Sequence, residues 1–86
     1  MPTISTFYGI VIAMYWGDHT PPHFDALYGE HEALIEIATL AIIRGSLPRR
    51  AQALVLEWAR EHREDLLGNW DLCSRNQTPS RIPPLI

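Results

Sequence analysis

The segment formed by residues 18–25, DHTPPHFD, concentrates side chains that can do chemistry. It places two histidines and two aspartates around a Pro-Pro pair. An imidazole titrates near neutral pH and also binds metals, and a carboxylate can orient the ring or share a metal with it. The segment is therefore the first candidate for a functional site.

One interpretation of this segment is a metal site. If a strand begins at His23, the side chains of His23 and Asp25 point to the same face, because side chains alternate along a strand. His-x-Asp is the local part of the two-histidine, one-carboxylate site that binds divalent iron. A third ligand must come from elsewhere, and we predict His19; the remaining histidines are His31 and His62. The implied cofactor is a divalent metal.

A second interpretation is acid–base catalysis by His19 and His23. Either imidazole could move a proton during cleavage of a phosphodiester, with a neighbouring aspartate holding the ring. Arg49 and Arg50, at a predicted helix start, would bind the phosphate as an anion site. These assignments describe a small ribonuclease, which the net charge of −3 does not favour.

A third interpretation of the segment involves no chemistry. Pro21 and Pro22 fix the backbone of a stiff turn, and the polar side chains around them are solvated. In such a loop the two histidines are exposed or hydrogen-bonded to backbone. The residues alone leave all three interpretations open.

The composition bounds the class of protein. The 86 residues fit one domain, and 47% of them are hydrophobic, enough for a core. The chain is acidic, with seven basic residues that are all arginine, which is not typical of a nucleic-acid-binding protein. Cys73 is the single cysteine, so no internal disulfide forms. The chain shows no signal peptide and no membrane-length apolar run, and we predict a cytoplasmic protein with no membrane contact.

The first half of the chain predicts strands. Residues 8–16 are rich in β-branched and aromatic side chains. Residues 24–28 and 32–37 predict a hairpin about Gly29, since the second run alternates carboxylates with apolar residues. Residues 40–44 predict a short further strand.

The second half predicts a helix. Ser46 is a suitable N-cap, Pro48 is tolerated in a first turn, and apolar residues recur at helical spacing over residues 49–73. Gly68 marks a kink or an early end. The predicted fold is α+β, with a small antiparallel sheet of three or four strands and one long C-terminal helix packed on a face. Residues 1–74 form the single domain and residues 75–86 an extended Pro-rich tail.

Two motifs, DHTPPHF at residues 18–24 and LPRR at residues 47–50, carry a resemblance to a known family. Over residues 1–72 the chain resembles an uncharacterised bacterial family of short proteins, a domain of unknown function. Its most recognisable motif is Asp-His-x-Pro-Pro-His-Phe-His, and Leu-Pro-x-Arg is the second. The family usually has His where this chain has Asp25. Three histidines would suggest a zinc-like site, whereas Asp25 keeps an acceptable metal ligand with a shifted preference.

The resemblance also implies a partner. Members are often encoded beside a second small protein, in pairs that look like toxin–antitoxin modules. We therefore predict a component of a toxin–antitoxin-like module that acts through or with a small partner protein encoded nearby. The alternative is a small effector that uses the 18–25 segment, either as a histidine-dependent ribonuclease or as a metal-binding protein.

Overall fold

The computed structural model describes residues 2–86, and these form an α+β fold. The elements are β1 (Thr3–Phe7), β2 (Ile10–Ala13), β3 (His23–Tyr28), β4 (His31–Glu36), β5 (Ile42–Gly45), α1 (Arg49–Glu61) and α2 (Arg63–Ser74). The strands form one antiparallel sheet in the order β1-β2-β3-β4-β5, so each pairs with its neighbour in sequence. The α+β class is confirmed. The predictions of three or four strands and of one long helix are wrong.

The additional strand arises from a hairpin at Tyr8–Gly9. We predicted one strand over residues 8–16, but Tyr8 and Gly9 have φ values of 49° and 78°. Two such left-handed residues form the tight turn that joins antiparallel strands. The chain reverses there, and Phe7 pairs with Ile10. Tyrosine rarely adopts this conformation. The run of β-branched and aromatic residues therefore predicted one continuous strand and no turn.

The hairpin about Gly29 is confirmed, and it sets the two faces of the sheet. β3 pairs with β4 along its whole length, with Asp25 opposite Leu34 and Leu27 opposite Glu32. The even-numbered residues of β3 face the core, as the complete burial of Phe24 shows. The odd-numbered residues therefore share the opposite face.

The helical region is divided at His62, whose φ of −122° and ψ of 25° interrupt the helix. Arg63 then begins α2, and its Nε donates a hydrogen bond to the carbonyl of Ile37 at 3.1 Å. The early end predicted at Gly68 is wrong, because α2 continues through Gly68 to Ser74. The predicted cap is also wrong: Pro48 precedes α1, and no side chain caps it. Neither helix of residues 2–86 is long and apolar enough to cross a membrane.

Trp58 of α1 lies at the centre of the core between helix and sheet. It is fully buried, and its ring centroid lies 5.4 Å from that of Phe7 and 6.0 Å from that of Phe24. Its indole N–H donates to the carbonyl of Pro83 at 2.8 Å. One side chain therefore joins α1 to two strands and to the segment after α2.

Residues 75–86 contain no helix or strand and run back along the domain. The side-chain amide of Asn69 accepts from the Ser80 amide and donates to the Ser80 carbonyl, both at 2.8 Å. The amide of Ile82 donates to the carbonyl of Ile4 at 2.8 Å, and its side chain is buried. These contacts place the segment against α2 and β1.

Candidate functional site

The loop between β2 and β3 is held at both ends, and this brings Asp18 to the start of β3. At one end the amide of Gly17 donates to the carbonyl of Cys73 in α2 at 3.5 Å. At the other end the amide of Ile37 donates to the carbonyl of Pro22 at 3.0 Å. The Asp18 carboxylate consequently meets the imidazole of His23.

His23 is the buried member of this contact. Its Nδ1 lies 2.8 Å from the carbonyl oxygen of Pro21, and its Nε2 lies 3.0 Å from Oδ2 of Asp18. A carbonyl oxygen only accepts hydrogen bonds, so Nδ1 carries a proton. In a neutral ring Nε2 then presents a lone pair towards a carboxylate, and only a shared proton or a cation makes that contact favourable. The ring also packs on Trp70, with centroids 5.2 Å apart.

Asp25 lies on the same face of β3 as His23, as the sequence predicted. The residue is only 6% exposed, and its Oδ1 has no hydrogen-bond partner among residues 2–86. A buried polar atom left unpartnered typically costs about 1–3 kcal/mol. Burial, partly opposed by His23 and reinforced by the carboxylates of Glu32 and Asp18, raises the pKa of Asp25 from 3.8 to about 6. Ionisation of Asp25 therefore destabilises the folded protein.

Asp18, His23 and Asp25 together form a group of side chains that could hold a metal ion. Each offers one donor atom, and the three atoms lie within 4.8 Å of one another. The hydrogen bond from Nδ1 to Pro21 orients the ring and directs Nε2 into the cluster, which is the usual outer-shell arrangement of a metal-binding histidine. The donor set of two carboxylates and one imidazole suits a divalent cation. We call these three residues the Asp–His–Asp cluster.

Tyr15 stands beside the cluster on the path from β2 into the loop. Burial raises the pKa of its phenol, and the charges of Asp25, Glu32 and Asp18 raise it further. The charges of all three carboxylates therefore reach the phenol of Tyr15. Three neighbouring carboxylates favour the binding of a cation in this region.

His19 lies outside the cluster. We predicted it as a metal ligand beside His23 and Asp25, but its side chain is exposed, and only its backbone amide takes part, donating to Oδ1 of Asp18 at 2.9 Å. Asp18 supplies the third donor instead. Of the other histidines, His31 is exposed and His62 packs on Trp58 with centroids 5.4 Å apart.

Asp18 is the member of the candidate site that sequence reasoning missed. From the sequence, a neighbouring aspartate is expected only to hold a catalytic imidazole, because the contact of Asp18 with His23 depends on how the Pro-Pro loop folds back. The signal that could have identified it is the spacing. Asp18 lies five residues before His23, and Asp25 lies two residues after it. The stiff Pro-Pro loop between Asp18 and His23 turns the chain back on itself.

Arg49 and Arg50, the predicted anion site, lie at the start of α1 and are exposed. No acidic residue occupies the first turn of α1. Arg50 also lines a small pocket between the hairpin turns and the helix, and we call it the hairpin-tip pocket. Its other lining residues are Tyr8, Ile10, Tyr28, Pro48, Ala51 and Leu54.

The fold and site describe a small α+β protein: a five-stranded antiparallel meander with two helices and an Asp–His–Asp cluster where the β2–β3 loop meets the start of the central strand. The chain belongs to the family described as "Domain of unknown function (DUF4160)", which residues 9–71 match. That range includes the whole cluster and most of both helices. No curated protein and no solved structure matches the chain.

Proposed function

We propose that the protein binds one divalent cation through Asp18, His23 and Asp25. The observation that carries this proposal is the buried, unpartnered Oδ1 of Asp25 on the central strand. A cation gives that oxygen a partner and offsets the charge of a carboxylate removed from water. It also accepts the lone pair that His23 directs into the cluster.

The metal-free alternative is an ion pair between protonated His23 and Asp18, whose atoms lie 3.0 Å apart. That pair satisfies His23 and Asp18 but leaves Oδ1 of Asp25 without a partner. A cation satisfies all three residues. The cation therefore accounts for more of the observed geometry than the ion pair.

The donor set also suits a hard divalent cation, because carboxylate oxygens and an imidazole nitrogen are ligands of such ions. Three protein ligands leave coordination positions for water or substrate, and a bound divalent ion acidifies such a water or polarises an oxygen.

Titration calorimetry tests the proposal. Untagged protein stripped with EDTA should bind one equivalent of Mn²⁺ at pH 8. The variant His23→Gln should bind at least about 100-fold more weakly, because even the loss of an outer-shell contact costs about 10- to 100-fold. His31→Gln is the matched control and should bind like wild type, since His31 is exposed and outside the cluster. Absence of Mn²⁺ and Zn²⁺ binding by the wild type would contradict the proposal.

We also propose that the protein acts in the cytoplasm with a small partner protein, as one component of a toxin–antitoxin-like pair. The sequence resemblance suggests the pair, and the hairpin-tip pocket supports a contact surface. Tyr8 and Tyr28 are 57% and 37% exposed, and they stand beside Leu54 and Arg50 at the opposite end of β3 from the cluster. Exposed aromatic and arginine side chains around an apolar centre are typical of protein interfaces.

Co-purification with the product of the adjacent gene tests the partner proposal. Wild type should retain the untagged partner on an affinity column, and the double variant Tyr8→Ser, Tyr28→Ser should retain at least about tenfold less, because two aromatic contacts are lost. Leu67→Ser is the control, since Leu67 is 43% exposed on α2. Equal retention by all variants would place the contact elsewhere, and no retention by wild type would overturn the partnership.

A further inference from the structure

We propose that Glu32 is a fourth ligand of the same cation and closes the Asp–His–Asp cluster from the solvent side. This inference rests on the proposed cation site. It assigns a ligand that no sequence motif indicates, since Glu32 lies outside the 18–25 segment and on the next strand. It also determines which metals the site prefers.

The register of the central hairpin brings Glu32 to the cluster. Asp25 pairs with Leu34 and Leu27 pairs with Glu32, so Glu32 is the diagonal neighbour of Asp25 on the same face. Diagonal neighbours in an antiparallel pair lie about 7–8 Å apart, within reach of long side chains. Asp25 is buried, whereas Glu32 is exposed, so the glutamate can swing towards the ion from outside.

The surroundings of Glu32 leave it available for this role. No arginine or histidine of residues 2–86 forms an ion pair with it. Its neighbour on the same face, Glu36, accepts a hydrogen bond from the Thr39 hydroxyl at 2.6 Å and is thus engaged in a turn. The Glu32 carboxylate is near enough to Asp25 to raise the pKa of that carboxyl, and Oδ1 of Asp25 is buried without a hydrogen-bond partner among residues 2–86.

Four ligands of this kind select a hard, oxygen-preferring ion. Three carboxylates and one imidazole suit an octahedral ion such as Mn²⁺, which keeps water in its remaining positions. Zn²⁺ is satisfied by three protein ligands and one water in a tetrahedron. Removal of Glu32 should therefore weaken Mn²⁺ binding much more than Zn²⁺ binding.

Calorimetric titration of EDTA-stripped wild type, Glu32→Gln and Glu30→Gln with Mn²⁺ and with Zn²⁺ tests this inference. Glu30→Gln removes the same charge from the exposed turn between β3 and β4 and is the electrostatic control. We expect Glu32→Gln to weaken Mn²⁺ binding by about tenfold or more and Zn²⁺ binding by less than about threefold. Glu30→Gln should change neither by more than about twofold.

The outcomes separate the two proposals. If wild type binds neither ion, the cation site itself is overturned. If wild type binds Mn²⁺ and Glu32→Gln binds it like Glu30→Gln, the cluster stands and the role of Glu32 is overturned. Urea unfolding of the metal-free variants checks their folds; Glu30→Gln should match wild type within about 0.5 kcal/mol, and Glu32→Gln should be no less stable than wild type, because both positions are exposed and the Glu32 charge disfavours ionised Asp25.

Discussion

Replacement of Asp25 with Asn should raise the free energy of unfolding of the metal-free protein by about 2–3 kcal/mol at pH 8. The pKa of Asp25 is raised by burial from 3.8 to about 6 in the folded protein. Well below pH 3.8 the carboxyl is protonated in both folded and unfolded chains. Between pH 4 and 6 the unfolded chain ionises first, so folding loses stability as pH rises, and the loss is complete above the folded pKa. Asn is neutral throughout and avoids this loss.

Urea denaturation in EDTA at pH 4 and pH 8 measures the effect. The gain in unfolding free energy from Asp25→Asn should be only about 0.5 kcal/mol at pH 4 and largest at pH 8. Glu57→Gln is the control, because Glu57 is exposed on α1, and its unfolding free energy should follow wild type at both pH values. An Asp25→Asn variant less stable than wild type at pH 8 without metal would show that Asp25 has a stabilising partner, and the case for a cation there would weaken.

Replacement of Trp58 with Ala should lower the free energy of unfolding by about 3–5 kcal/mol, the range for truncation of a buried aromatic residue. The ring is fully buried against Phe7 and Phe24, so its removal leaves a cavity under the sheet. The hydrogen bond to the Pro83 carbonyl is lost as well. The total free energy of unfolding of an 86-residue domain is small, so this loss is a large part of it.

Trp16→Ala is the matched comparison for Trp58→Ala. Trp16 is 48% exposed, and its indole donates to the Gln77 carbonyl at 2.9 Å on the surface. Trp16→Ala should lower the free energy of unfolding by about 1 kcal/mol or less. Urea denaturation followed by circular dichroism at 222 nm compares the two, and equal costs would contradict the central position of Trp58 in the core.

The sequence predicted those parts of the fold that depend on local patterns. The alternation of residues 32–37 and the glycine at position 29 identified the β3–β4 hairpin, and the helical spacing after residue 48 located α1. The two-residue period of a strand also placed His23 and Asp25 on one face. These features follow from side-chain geometry within a single element.

The features that were missed depend on contacts between elements. Tyr8 takes a left-handed conformation that its residue type does not favour, and His62 divides the helical region although Gly68 was the better breaker by propensity. At the corner, Arg63 hydrogen-bonds to the Ile37 carbonyl, a contact that no local pattern reveals. Tertiary contacts of this kind override weak local preferences.

The same distinction between local patterns and contacts between elements applies to the candidate site. The pair His23 and Asp25 was predicted from strand period, whereas Asp18 and Glu32 were not. Asp18 reaches the cluster because the Pro-Pro loop folds back, and the hairpin register places Glu32, the proposed fourth ligand, diagonal to Asp25. His19 is adjacent to Asp18 in sequence, but its side chain is exposed and outside the cluster. Closeness in sequence therefore did not identify the residues of the site.

Anomalous diffraction tests the central claim most directly. Crystals of the untagged protein grown with Mn²⁺ should show an anomalous difference peak at the manganese absorption edge, within about 2.5 Å of the donor atoms of Asp18, His23 and Asp25. The peak should be absent from crystals of His23→Gln grown in the same solution. Wild-type crystals with no peak at the cluster, and with Nε2 of His23 still 3.0 Å from Asp18, would establish the metal-free ion pair instead.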